Sequence, residues 1–201
     1  MVDGQTNLAE DCRMSTATRT RATVDDLLRV EGKAELVGGR IVELMGTGLR
    51  PGRVGGKIYR SLDDRAEATG IGVACPDNVI FAVTELPSGR ESFSPDAASY
   101  DGPMPANDMK PVPGPPTLAV EVRSDGDYGP AAERAMAAKR ADYFAAGTEV
   151  VWDVDPVAEL VHVYRGGSPL VPTTYGRGQV AEAEPAVPGW GPLVDEFFPA
   201  R

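Results

Sequence analysis

Glu121 lies in the middle of one of the most apolar stretches of the chain, Thr117 to Arg123. Side chains alternate along an extended strand, so Leu118, Val120 and Val122 share one face and Ala119, Glu121 and Arg123 the other. A carboxylate buried there is costly unless a cation, a metal or a hydrogen-bond network compensates it. Asp96, directly after Pro95 at the start of another expected strand, is a second acid, and the long loop from Asp101 to Pro116 lets the two strands become neighbours. Two carboxylates, with the remaining positions left to water and a phosphate oxygen, suit an octahedral Mg²⁺ or Mn²⁺. Such a metal lowers the pKa of its water and stabilises charge on phosphate.

Lys139 supplies a third group. At 100° per residue it shares a helix face with Ala132, Ala135, Met136 and Tyr143, the stripe expected to meet the sheet, while Arg134, Ala138 and Ala141 point elsewhere. An inward lysine can orient the attacking water or stabilise the phosphate, with desolvation lowering its pKa. Plainer readings stand beside these. Asp96 alone fits a turn aspartate, Lys139 a lysine snorkelling from the helix edge, and Arg123 a counter-ion for Glu121 or nearby acids. Trp152 and Tyr143 read as core residues rather than base-stacking ones.

The elements that must position these groups are legible from punctuation and period. Thr23 followed by Asp26 marks a helix start, with Val24, Leu27 and Leu28 apolar and Gly32 as its end. Ala34 to Val37 and Arg40 to Met45 flank Gly38-Gly39, a hairpin signal. A helix is expected over Val54 to Thr69, then strands at Ile71 to Cys75, Asn78 to Thr84, Pro95 to Tyr100 and Thr117 to Arg123. A helix over Ala131 to Ala146 follows, then strands at Glu149 to Val154 and Leu160 to Tyr164. Leu193, Val194, Phe197 and Phe198 are expected to dock on the core. The mixture implies an α/β or α+β fold with a mixed central sheet flanked by helices, in a single domain over residues 20–201 after a flexible leader, residues 1–19.

Of 201 residues, 42% are hydrophobic and 25% charged, the balance of an ordinary globular protein, and 23 Gly with 18 Pro imply many turns. A net charge of −10 argues against a broad basic surface for nucleic acid, so binding to DNA needs a metal, a local basic patch or a partner. Cys12 and Cys75 are too few for a disulfide framework or a zinc cage and read as reduced thiols. No apolar leader or membrane anchor is visible, which makes the cytoplasm the expected location. Pro51-Gly-Arg-Val-Gly-Gly-Lys57 is not a P-loop, because Pro51 replaces the first glycine and Ile58 the metal-binding hydroxyl. His162 is alone among apolar neighbours and builds no triad or metal cluster.

Four segments recur together in a known order: Glu35 to Met45 (Glu-Leu-Val-Gly-Gly-Arg-Ile-Val-Glu-Leu-Met), Ser94-Pro95-Asp96, Leu118 to Ser124, and Lys139 to Gly147 leading to Val151 to Pro156. From about Thr23 onward the chain resembles the Uma-two family of restriction endonucleases. The resemblance implies the PD-(D/E)xK nuclease superfamily, a restriction-endonuclease-like mixed sheet, a Mg²⁺-type site and DNA as substrate. Carried over by position, Pro95-Asp96 matches the PD element and Glu121 the second acid. Arg123 stands where the superfamily's lysine is usual; it can hold a phosphate but is a poor proton acceptor. The family takes its lysine from the next helix, which points to Lys139, and its recurring acid in the first hairpin corresponds to Glu35, which alone also reads as a surface hairpin acid. Gly55 and Gly56 stand where the family has a polar residue, often histidine. The expected function is a metal-dependent endonuclease, with Asp96, Glu121, Lys139, Glu35 and Arg123 as site residues and a homodimer suited to cutting two strands. The rival is a weak or inactive nuclease-fold protein serving as a binding or assembly module, which the acidic balance and Arg123 both favour.

Overall fold

The computed structural model describes residues 21–198. The expected leader, with Cys12, lies outside the described residues, whereas Cys75 is a buried free thiol. Thr23 caps α1 (Val24–Leu27): its hydroxyl accepts from the Asp26 amide at 3.3 Å, and the Asp26 carboxylate accepts from the Thr23 amide at 3.0 Å. The helix stops at Leu27, short of Gly32, because Arg29 and Val30 donate three residues back and tighten the chain out of α geometry.

β1 (Ala34–Val37) and β2 (Arg40–Glu43) form the expected hairpin, with Gly38 and Gly39 at φ +59° and +66° supplying the two positive angles of its turn. The second helix, α2 (Leu49–Thr69), begins five residues before Val54. Pro51 and Gly52 argue for a loop in the sequence, but Pro51 is the third helical residue, in the first turn, where its missing N–H has no intrahelical partner to lose. Gly70, at φ 67°, caps the far end.

β3 (Val73–Pro76), β4 (Phe81–Ala82), β5 (Ser92–Phe93), β6 (Ala97–Tyr100), β7 (Val112–Pro113) and β8 (Leu118–Val122) follow. After α3 (Pro130–Ala146) come β9 (Val150–Asp155), β10 (Leu160–Arg165) and β11 (Ser168–Tyr175). The central sheet has the order β11-β10-β9-β8-β6-β3 and is mixed, β8 and β9 running parallel and the other pairs antiparallel. The strand expected over 78–84 shrinks to β4, which joins β5 and β7 in a separate small sheet. β7 lies inside the segment expected to be a plain loop. β11 goes beyond the strands expected from the sequence; Pro169 and Pro172 sit in this edge strand, where an unpaired side tolerates missing donors.

The two faces of β8 part as alternation requires. Leu118, Val120 and Val122 pack with Val54, Ile58 and Leu62 of α2 and with Trp190; Val194, Phe197 and Phe198 dock in the same cluster as expected, whereas Leu193 is 44% exposed and does not. Ala119 faces Tyr143 of α3 and the small sheet, with Phe93 and Tyr143 stacked at 4.1 Å between ring centroids. The inward face of α3 carries Met136, Lys139, Arg140 and Tyr143, while Ala135 is exposed.

Candidate active site

Asp96 sits at a bend where β6 begins, and its amide donates to the Val120 carbonyl at 3.0 Å. The antiparallel register of β6 with β8 ends at Ala97↔Val120, so Asp96 lies just beyond the paired residues, beside the end of β8 that carries Glu121. Asp96 raises the pKa of Glu121 and both acids act on Lys33, so two like charges lie near one another at the end of β8. The geometry is locked on one side, because Asp96 Oδ2 accepts from the Val122 amide at 2.7 Å.

Glu35, on β1, reaches the same place. It is buried, accepts from the Ser94 amide at 3.1 Å and pairs with Arg90, which in turn donates to Asp142 at 2.9 Å. Lys139 Nζ lies 2.9 Å from both Glu35 Oε1 and Glu121 Oε1. Tyr143 donates its hydroxyl to Glu121 Oε1 at 2.6 Å, whereas Glu121 Oε2 makes no hydrogen bond among the described residues. Tyr143 is therefore both core and site: its ring packs and its hydroxyl aims a carboxylate.

The electrostatics follow from these contacts. Burial pushes the Glu121 carboxyl above its ordinary range; Lys139 opposes this, while Asp96 and Glu35 add to it. Burial would also raise Glu35, but Lys139 and Arg90 outweigh it and hold that carboxyl low. Lys139 corrects an expectation: desolvation does act to lower its pKa, yet Glu121 and Glu35 outweigh it and the ammonium is held well above its usual value. This lysine keeps its proton, so its available roles are to orient water and to neutralise phosphate.

Arg123 turns away from these groups. Its guanidinium binds Asp153 through two 2.7 Å bonds and Glu133 at 3.1 Å, and Arg140 binds the same two acids at 2.9 and 3.0 Å. Asp153 stands opposite Glu121 in the parallel pair β8–β9, so this network borders the site, and a small cavity of about 40 Å³ is lined by Glu121, Lys139, Tyr143, Arg140 and Asp153. Lys33 joins this cluster of charges although the sequence alone does not single it out: its ammonium lies 2.6 Å from Asp96 Oδ1 and 2.7 Å from Asp77 Oδ1. As the residue two before Glu35, it shares that residue's strand face, and this spacing is the signal in the sequence that points to it. On the other side of Asp96, Gly52, Gly55, Gly56 and Tyr59 of α2 line a cavity of about 150 Å³.

Among the described residues no group of three or more His, Cys, Asp or Glu side chains gathers as a metal cage. Mg²⁺ asks for less, one or two carboxylates with water completing its shell. Asp96 and Glu121 provide a hard-oxygen pair whose members repel one another, with Glu121 Oε2 left without a partner, and this donor set fits that ion.

The family whose model matches residues 24–195 is described as "Uma2: Putative restriction endonuclease". The chain belongs to that family. A solved structure titled as a putative nuclease belonging to DUF820, from Anabaena variabilis, matches with a TM-score of 0.67 at 14% identity, over 88% of this chain and 97% of that one. At that identity the likeness establishes the shared fold. No curated protein matches. Among the described residues no helix is long and apolar enough to cross a membrane.

Proposed function

We propose that this protein is a metal-dependent nuclease in which Asp96 and Glu121 hold Mg²⁺ or Mn²⁺ and Lys139 acts on the water or phosphate at the site. The observation that carries this reading is that Asp96 is bonded to Val120 and Val122, the residues on either side of Glu121, with Lys139 2.9 Å from Glu121. Family membership supplies the reaction class, and DNA is the substrate that class implies. When bound, the metal would supply an activated water and charge stabilisation on the phosphate. The chain's own part is positional. Val122 and Tyr143 fix one oxygen of each carboxylate, Glu35 and Arg90 hold Lys139 from behind, and Lys139 keeps a positive charge beside Glu121. Glu35 is a positioning residue for Lys139, and Arg123 acts through the stability of β8 and β9.

A second reading, a nuclease-fold binding module, has one observation in its favour: the chain's own cations already neutralise the site carboxylates. Cleavage of single- and double-stranded DNA with Mg²⁺ or Mn²⁺, with and without chelator, separates the two. The nuclease reading expects activity that chelator abolishes, that Glu121→Gln eliminates and that Lys139→Ala strongly reduces. Activity equal in wild type and Glu121→Gln would sink it, and no cleavage by the wild type under any metal would leave the binding module as the better account.

A further inference from the structure

Each carboxylate of the candidate metal pair shares a lysine with an acid outside the pair. Lys139 bridges Glu121 and Glu35, and Lys33 bridges Asp96 and Asp77. The arrangements differ in firmness. Glu35 is held by Arg90 and by the Ser94 amide, so Lys139 has a fixed second anchor. Asp77 stands at the surface with its side chain 51% exposed, at the mouth of the cavity lined by Gly52, Gly56 and Asp96.

Asp96 has two oxygens to offer. Oδ2 is pinned at 2.7 Å by the Val122 amide, which β8 holds in place, whereas Oδ1 is taken by an ammonium on a flexible four-carbon stem. A divalent cation approaching Asp96 therefore meets the Lys33 charge at the oxygen most readily given up. The two cations repel at that distance, and the one with a second carboxylate in reach is the one that can leave.

We propose that Lys33 is a built-in cation that competes with the divalent ion for Asp96 Oδ1, and that Asp77 is the carboxylate to which it withdraws when the ion binds. The proposal rests on the metal pair named under Proposed function. Lys33 thereby keeps the two neighbouring acids compatible with folding in the absence of metal, and it remains beside Asp96, on Asp77, where a phosphate can use its charge. It is a positioning residue with respect to the metal, since it acts through Asp96.

The test is calorimetric titration with Mn²⁺ alone, together with thermal unfolding with and without Mn²⁺, on wild type, Lys33→Met, Asp77→Asn and Asp96→Asn. Lys33→Met is expected to bind Mn²⁺ about tenfold more tightly, the effect of removing one unit charge from a partly screened site. Its metal-free melting temperature should fall and Mn²⁺ should restore it, widening the gap between the two states. Asp77→Asn should bind Mn²⁺ more weakly than wild type, because Lys33 then has only Asp96. A merely structural lysine would lower both melting temperatures alike and leave affinity unchanged. Binding that requires Asp96 but is the same in Lys33→Met and wild type overturns this inference alone. No saturable binding by wild type or Lys33→Met removes the metal pair itself and the inference with it. Should Lys33→Met fail to fold, Asp77→Asn decides: affinity equal to or above wild type overturns the proposal.

Discussion

The Tyr143 hydroxyl donates to Glu121 Oε1 at 2.6 Å while the Tyr143 ring stacks on Phe93 at 4.1 Å, so one buried side chain ties the hydrophobic core to the orientation of a site carboxylate. Tyr143→Phe keeps the ring stacking and deletes the donor. Loss of a hydrogen bond to a charged group should cost about 2 kcal/mol of stability. Chemical denaturation measures this directly, and a Tyr143→Phe protein as stable as wild type would show that the hydroxyl contributes nothing. Under the nuclease reading, cleavage should also fall, because Glu121 is left to Lys139 alone for its aim.

Glu35 carries a pH signature whose sign is fixed by its partners. Lys139 and Arg90 together overcome its burial and depress its folded-state pKa, so its contribution to stability is complete above the unfolded value of ~4.3 and is lost as pH falls through the lower folded value. Glu35→Gln should therefore lower the melting temperature at neutral pH, and the difference from wild type should narrow in acid below about pH 4. Melting curves across that range check it. A gap that stays constant or grows in acid would contradict the pairing.

Arg123 and Asp153 make the clearest separation between holding the sheet together and acting at the site. Asp153 is 1% exposed and carries both Arg123 and Arg140, so Arg123→Ala leaves it one partner and should cost about 2 kcal/mol, less than the ~3 to 5 typical of a buried charge left alone. Asp153→Ala should cost more, since it leaves two guanidinium groups with only the half-exposed Glu133 as their acid partner. Mn²⁺ affinity should be unchanged in both wherever the protein is folded. A selective loss of affinity in Arg123→Ala would instead bring Arg123 into the site.

The legible parts of this molecule are those governed by period. Alternation along β8 separates Leu118, Val120 and Val122 from Glu121, and helical spacing turns Lys139 and Tyr143 toward the sheet. Period says which face a side chain takes but not which way it leans along that face. Arg123 shares the face of Glu121, yet Asp153 on β9 draws it sideways into an ion network that only the β8–β9 register reveals. Lys33 is harder to single out: it stands one residue before β1, and its partner Asp96 is 63 residues away. The small sheet of β4, β5 and β7 has two-residue strands, too short for alternation to register. The start of α2 is masked by Pro51 and Gly52, whose usual meaning reverses in a first helical turn.

The net charge of −10 makes any grip on DNA a local matter, and α2 is where the local charge stands. Arg53 and Arg60 are exposed and, among the described residues, make no hydrogen bond or ion pair, while Gly56 between them at helical spacing has open space where a Cβ would stand. Gly52 and Gly56 of the same helix line the cavity beside Asp96, so a phosphate backbone laid along this face would pass the candidate metal pair. Replacing both arginines with alanine should weaken DNA binding evenly across sequences and reduce the slope of log affinity against log salt by about one for each phosphate no longer neutralised. Binding measured in Ca²⁺ over a salt series gives that slope without relying on turnover. Mn²⁺ affinity should be unchanged in the double variant, which separates a weakened grip on DNA from a damaged site. An unaltered salt slope in Arg53→Ala/Arg60→Ala would move the nucleic-acid path off α2.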